Sequence, residues 1–223
     1  MITLYKYLGI LLIPLIKFNL KLRLLNGKED KYRIKERYGK TSLIRPKKDL
    51  IWIHATSIGE FKSADLLINK YYKSFTILVT TTTMSAANFA TENYKNKIIH
   101  QFAPLDIYYW IENFLDQWKP KLVLWIESDL WPITTKLLKQ KRIKSMLINV
   151  RMSPQSFEKW KNMRSFYKTM TDCFSEIFAQ SKLDKERIEY LTKRKIKFIG
   201  NLKFSSKFKI DSIKINNFIK DIQ

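Results

Sequence analysis

Two glutamates stand where an α/β chain could put them to work. Glu60 closes the segment Thr56-Ser57-Ile58-Gly59-Glu60, which follows the apolar run Ile51-Trp52-Ile53-His54-Ala55. A carboxylate at a helix start is held ionised by the helix dipole and can take a proton from a bound hydroxyl. A plain capping glutamate suits the same position, and spacing alone leaves both readings open. Gly59 permits a tight turn or a close ligand approach, and Ser57 offers a hydroxyl. Glu127 emerges from a second apolar run into Trp125–Pro132, WIESDLWP. Two acids, two tryptophans and a proline are uncommon in a plain connector. A helix capped by Ser128 or Asp129, with Trp131 in the core, also accounts for them.

Other polar residues fall after apolar runs: Thr80–Thr83, Asp106, Asn149 with Arg151, Gln180 with Ser181, and Asn201 with Lys203. Hydroxyls such as that of Thr82 could line a sugar or phosphate pocket, or simply end a β-favouring segment. Arg151 could pair an anion or be an ordinary surface arginine. Lys203 could neutralise charge on a transferred group or be one solvated lysine among many. His54 and His100 read as core histidines, and Tyr108, Tyr109, Trp110 and Phe114 as helix packing.

These residues need elements to hold them, and the chain supplies a regular alternation. Strands are predicted at Leu50–Ala55, Phe75–Thr81, Ile98–Phe102, Lys121–Ile126, Lys144–Asn149, Cys173–Ala179 and Lys195–Ile199. Helices are predicted near Glu60–Tyr72, Ser85–Tyr94, Ile107–Gln117, Leu130–Gln140, Pro154–Met170 and Leu183–Leu191. Ser153-Pro154 makes a good helix start. Strand, helix, strand at this spacing predicts a Rossmann-like parallel sheet with helices on both faces. In such a sheet ligands bind outside the carboxyl ends of the strands, where both glutamates fall.

The opening residues 1–25 are apolar and basic. The run Tyr7–Ile16 is shorter than the roughly 20 residues a spanning helix needs, and Pro14 interrupts it. Lys17, Lys21 and Arg23 interleave with Leu, Ile and Phe, which suits a membrane-associated helix at the interface. Two other readings are a helix packed on the domain and a single span over Leu4–Leu25 with its lysines snorkelling. Residues 26–48 form a basic connector containing KYRIKERYG. Residues 49–204 form the α/β domain, and 205–223 form a polar, basic tail.

Of 223 residues, 45% are hydrophobic and 14% aromatic, which provides a core and argues against disorder. One cysteine, Cys173, excludes a disulfide scaffold and a thiolate zinc cluster, and with two histidines no metal site is expected. Against 20 acids stand 42 Lys and Arg, a net charge of +22. That field attracts nucleic acid, an anionic membrane or a phosphorylated substrate. The basic residues are spread along the chain and no nucleic-acid motif, phosphate loop or dinucleotide glycine fingerprint occurs, so nucleic acid is not an expected partner.

Read in order, the strand-end segments resemble one family, the bacterial Kdo transferases, which add 3-deoxy-D-manno-octulosonic acid to the lipid A precursor. The residues that carry the resemblance are the N-terminal hydrophobic segment, ERYG at Glu36–Gly39, HATSIGE at His54–Glu60 and LVTTTT at Leu78–Thr83. APLD at Ala103–Asp106, KPKLVLWIESDLWP at Lys119–Pro132, NVRMS at Asn149–Ser153, AQS at Ala179–Ser181 and GNLKF at Gly200–Phe204 continue it. The match runs to about residue 205, and the SIGE and ESDLWP elements together are specific.

The resemblance implies the N-terminal domain of a GT-B glycosyltransferase on the cytoplasmic face of the bacterial inner membrane. CMP-Kdo would be the donor substrate, with no cofactor, and the lipid A precursor the acceptor. It makes Glu60 the catalytic base of an inverting displacement. Glu127 and Lys203 would stabilise the transition state, with Ser57, Gly59, Thr82 and Arg151 as substrate contacts. Family members are longer than this chain, the further part being the domain that binds the donor nucleotide, and Ser205 stands where an aspartate usually follows GNLKF. Three arrangements are open: a truncated or split gene, a donor domain supplied by a separate chain, or a remnant without catalysis. The isolated chain is therefore expected to transfer little or no sugar. The alternative function is a non-catalytic, membrane-associated module that binds lipid or scaffolds a partner.

Overall fold

The strand sequences are mainly apolar, and the central runs Leu50–His54 and Leu122–Ile126 are buried at every position, as strands covered on both faces are. In the computed structural model, which describes residues 1–127 and 129–202, they form β1 (Leu50–His54), β2 (Thr76–Thr81), β3 (Ile99–Phe102), β4 (Leu122–Ile126), β5 (Lys144–Val150), β6 (Glu176–Ala179) and β7 (Lys197–Phe198). All pair in parallel, in the order β3-β2-β1-β4-β5-β6-β7. This is the doubly wound arrangement, with the strand order reversing direction between β1 and β4.

Alternate residues of each strand serve opposite faces. Ile51, Ile53, Val79, Leu124 and Ile148 pack with Phe61, Ala64 and Ile68 of α3 (Ile58–Tyr71) and with Ala90 and Tyr94 of α4 (Met84–Tyr94). Trp52, Leu78, Val123, Trp125 and Leu147 face α5 (Tyr108–Trp118) and α6 (Pro132–Gln140). The predicted helix Pro154–Met170 is two helices, α7 (Pro154–Asn162) and α8 (Arg164–Thr171), broken at Met163, whose φ of −120° and ψ of 30° leave the helical region. The break lets Tyr167 and Met170 of α8 enter the second core beside α9 (Lys182–Thr192), while α7 buries no residue fully. The sixth strand starts at Glu176, later than Cys173, because Cys173–Ser175 form the turn that enters it.

The N-terminal segment, expected as one membrane-associated helix, forms two: α1 (Ile2–Leu11) and α2 (Ile13–Leu25). They part at Leu12, just before Pro14, which has no N–H to continue the α1 ladder. Neither matches a single span over Leu4–Leu25, and no helix among the described residues is long and apolar enough to cross a membrane. α1 packs on the sheet domain through Ile2 and through Lys6, whose ammonium lies 3.4 Å from the Tyr108 ring centre. Its outer residues Leu4, Tyr7, Leu8 and Leu11 are exposed, and Leu15, Phe18, Leu22 and Leu25 continue the apolar surface along α2.

The basic connector is no loose linker. It contains a 3-10 turn, Ile34–Tyr38, whose Glu36 and Arg37 are buried. Glu36 accepts a hydrogen bond from the Phe102 amide at the end of β3. The tail 205–223 and Lys203 lie outside the described residues, as does Ser128.

Candidate active site

β1 ends at His54 and the chain enters α3 through Ser57, which has extended backbone angles and caps the helix by accepting from the Glu60 amide at 3.3 Å. The Glu60 carboxylate folds back over the same turn. Oε2 accepts from the Thr56 amide at 2.6 Å, and Oε1 from the Thr56 hydroxyl at 2.5 Å and the Ser57 hydroxyl at 3.3 Å. This is a variant of the serine–glutamate capping box. The side chain thus takes up the capping arrangement. Burial pushes the Glu60 carboxyl above the usual carboxylate range, the Thr56 hydrogen bonds oppose the shift, and the nearby negative charge of Glu127 adds to it. Gly59 lies within the first turn of α3, so no tight turn is needed there, and its carbonyl accepts from Ser63.

Glu127 follows β4 in the left-handed region, φ 66°, with its amide donating to the Ile148 carbonyl at 2.9 Å. A non-glycine residue there costs about 1–2 kcal/mol, a strain that clusters at functional sites. Because β1 and β4 are neighbours at the point of reversal, Glu60 and Glu127 open into one cleft of about 530 Å³. Asp129, Leu130, Arg151, Met152, Ser153, Ser156 and Trp160 complete its lining. Two carboxylates at the reversal point and a guanidinium on the rim can deprotonate a hydroxyl and hold an anionic substrate. Among the described residues no three metal-ligating side chains converge.

Several other expected residues have partners away from the cleft. Thr82 does not line it, since its hydroxyl donates to the Thr56 carbonyl at 3.0 Å. Thr80 bonds Trp52 and His54, Thr81 bonds His100, and Thr83 caps α4, so the four threonine hydroxyls serve the scaffold. Asp129 does not cap α6. That helix begins at Pro132, and Asp106 caps it from another loop, accepting from the Ile133 amide at 2.9 Å, the Thr134 amide at 2.8 Å and the Thr134 hydroxyl at 2.7 Å. Lys203 lies outside the described residues, which end at Leu202. Asn149, itself left-handed at φ 58°, accepts from the Leu202 amide at 3.1 Å and ties that segment to the end of β5. Sequence reasoning missed Ser156 and Trp160 of α7, although Ser153-Pro154 after β5 marked a helix starting at the carboxyl edge.

Residues 32–206 match a family model described as 3-deoxy-D-manno-octulosonic-acid transferase (kdotransferase). The chain is 37% identical over 209 residues to a 3-deoxy-D-manno-octulosonic acid transferase of Rickettsia bellii, covering 92% of this chain and 50% of that protein. It is 36% identical to a probable mitochondrial enzyme of the same name from Arabidopsis thaliana, over 94% of this chain and 48% of the relative. For a Haemophilus influenzae relative of that name the identity is 29%, over 89% and 48%. The chain thus spans about half the length of these relatives. Among solved structures, a putative UDP-N-acetylglucosamine 2-epimerase from Listeria monocytogenes shares the fold, with a TM-score of 0.50 and 13% identity over 68% of this chain and 44% of that one.

Proposed function

The chain belongs to the 3-deoxy-D-manno-octulosonic-acid (Kdo) transferase family, and from that premise we propose that it forms the acceptor side of a glycosyltransferase moving Kdo from CMP-Kdo to the lipid A precursor. The observation that carries this reading is the meeting of Glu60 and Glu127 in one cleft where the strand order reverses. Glu60 takes the proton of an acceptor hydroxyl as its oxygen attacks the anomeric carbon. The bond from that carbon to the phosphate oxygen of CMP breaks, and CMP leaves with the electron pair. A carboxyl held above its ordinary range matches a general base better than a fully solvated one, and such a base contributes about 10²–10⁴-fold. Arg151 on the rim attracts acceptor phosphate, and Glu127 and Lys203 act on the charge that develops at the sugar. The surface that binds the nucleotide, completing a GT-B pair, corresponds to the part of the relatives this chain does not span.

The exposed apolar surface of α1 and α2, with Lys17, Lys21 and Arg23 beside it and a net charge of +22, suits the interface of an anionic bilayer. The same reading places the chain on the cytoplasmic face of a bacterial inner membrane, where a phosphorylated, acylated acceptor is presented. Two measurements test the function. The chain is titrated with lipid A precursor in detergent, and a chimera completed with the C-terminal half of the Rickettsia bellii relative is assayed for transfer by mass spectrometry. Retention of the precursor, with transfer lost 10²–10⁴-fold in Glu60→Gln, is the expected result. A chain that ignores the precursor, or a Glu60→Gln chimera that transfers like its parent, overturns it. Precursor binding without any transfer favours the lipid-binding module instead.

A further inference from the structure

Near the cleft lies a buried ion pair that the reaction itself does not use. Arg37 and Glu29 are 3% and 7% exposed, with Nε 2.9 Å from Oε2. Charges this deep are costly unless every edge is satisfied, and the guanidinium satisfies its own on main-chain carbonyls: Nη1 on Ala103 at 3.2 Å, Nη2 on Thr82 at 2.6 Å. Those carbonyls belong to the loops leaving β3 and β2 at the carboxyl edge of the sheet. A planar fork can reach three acceptors at once, which a lysine ammonium on a flexible stem does not reproduce.

The second of those loops grips the turn that carries the base. Thr82 donates to the Thr56 carbonyl from its amide at 3.3 Å and its hydroxyl at 3.0 Å. Thr56 in turn donates to both oxygens of Glu60. At the other end, Glu29 also pairs with Arg23 of α2 at 2.8 Å. We propose that Arg37 is a positioning residue for Glu60: the relay from Arg23 through Glu29, Arg37, Thr82 and Thr56 fixes the carboxylate from the N-terminal helices. It assigns the ERYG segment a role at the active site, and it rests on the reading of Glu60 as the base.

The test needs neither donor nor acceptor, so its failure is distinct from a failure of the transfer assay. In Arg37→Lys the charge stays and the fork goes. Amide exchange at Thr56 is expected to quicken about tenfold, the equivalent of losing one hydrogen bond's constraint. The Glu60 protonation midpoint, followed by carbon-13 NMR of labelled glutamate and assigned with Glu60→Gln, should move upward as its donors loosen. A residue that merely held the fold together would lower the melting temperature and leave that midpoint in place. Should Arg37→Lys fail to fold, Thr82→Val breaks the next link, and Thr82→Ser, which keeps the hydroxyl, should restore both readouts. A folded Arg37→Lys or Thr82→Val protein with wild-type Thr56 exchange and Glu60 midpoint overturns the proposal.

Discussion

Thr56 holds both carboxylate oxygens of Glu60, with its amide 2.6 Å from Oε2 and its hydroxyl 2.5 Å from Oε1. These donors favour the ionised form, while burial and the charge of Glu127 oppose it, and burial prevails. Removing the hydroxyl alone should therefore raise the Glu60 pKa further. The Thr56→Val chimera is expected to show the acid limb of its kcat/KM profile displaced to higher pH. An unmoved limb would mean that the hydroxyl does not tune the base.

The same imbalance has a consequence for stability. The folded chain binds the Glu60 proton more tightly than the unfolded chain, since its pKa is raised. Stability from this carboxyl is present at low pH and is lost as pH rises through the folded value. Glu60→Gln, which has no charge to bury, should be more stable than wild type at pH 7 by on the order of 1 kcal/mol, as replacements at strained functional sites often are. The advantage should vanish in acid. Urea denaturation at pH 7 and pH 4 measures it, and a Gln variant less stable at pH 7 contradicts it.

Asp106 caps α6 from the loop after β3 and so fixes the far end of the segment that begins at Glu127. Asp106→Ala strands two backbone amides and the Thr134 hydroxyl at a buried helix start. A loss of about 2–3 kcal/mol is expected, or a melting temperature roughly 5–10 °C lower. Asp106→Asn keeps an acceptor oxygen and should recover part of it. Differential scanning calorimetry of both variants decides, and an Ala variant that melts with wild type would show the cap to be idle.

Gly39 and Gly27 share a left-handed backbone, φ 69° and 65°, but differ in their surroundings. A Cβ on Gly39 would stand 1.9 Å from the Trp110 carbonyl oxygen, whereas one on Gly27 meets nothing within 4 Å. Gly27→Ala should therefore cost only the conformational strain, about 1–2 kcal/mol. Gly39→Ala should cost clearly more, because a backbone atom cannot step aside without moving α5. Equal losses in chemical denaturation would mean that the 3-10 turn shifts freely.

The architecture was legible in the sequence because it is written in short-range periodicity. Seven runs of strand length correspond to the seven strands of the described residues, and the rule that ligands sit at their carboxyl ends points to Glu60 and Glu127. What periodicity does not carry is strand order, and it is the adjacency of β1 and β4 that turns two separate glutamates into one cleft. Nor could it show the break at Met163, where neither Gly nor Pro marks the chain. Asp106 bonds a helix 27 residues further along, and Arg37 bonds a carbonyl 45 residues away. Such pairs leave no local spacing to read. The Thr82 hydroxyl, a candidate pocket group by sequence, instead donates to the Thr56 carbonyl.

His54 is wholly buried. Trp52 Nε1 donates to the Thr80 hydroxyl at 2.8 Å, and the same hydroxyl lies 2.9 Å from His54 Nδ1. Its Nε2 has no hydrogen-bond partner among the described residues, and the ring packs against those of Trp125 and Trp131. Burial lowers the pKa of His54 to about 3, and burial with the Arg33 and Arg37 charges does the same for His100. In the unfolded chain both histidines take up protons below about pH 6.5. Their contribution to stability is therefore present above that value and is lost as pH falls toward 3. The slope is about 1.4 kcal/mol per pH unit for each histidine. His54→Gln, which has no ionisable ring, should flatten the wild-type dependence by that amount between pH 6 and pH 4 in urea titrations. Nitrogen-15 NMR should show the wild-type His54 ring neutral throughout that range. A ring that protonates near pH 6, or parallel slopes in the two proteins, would show that His54 is solvated in the folded chain.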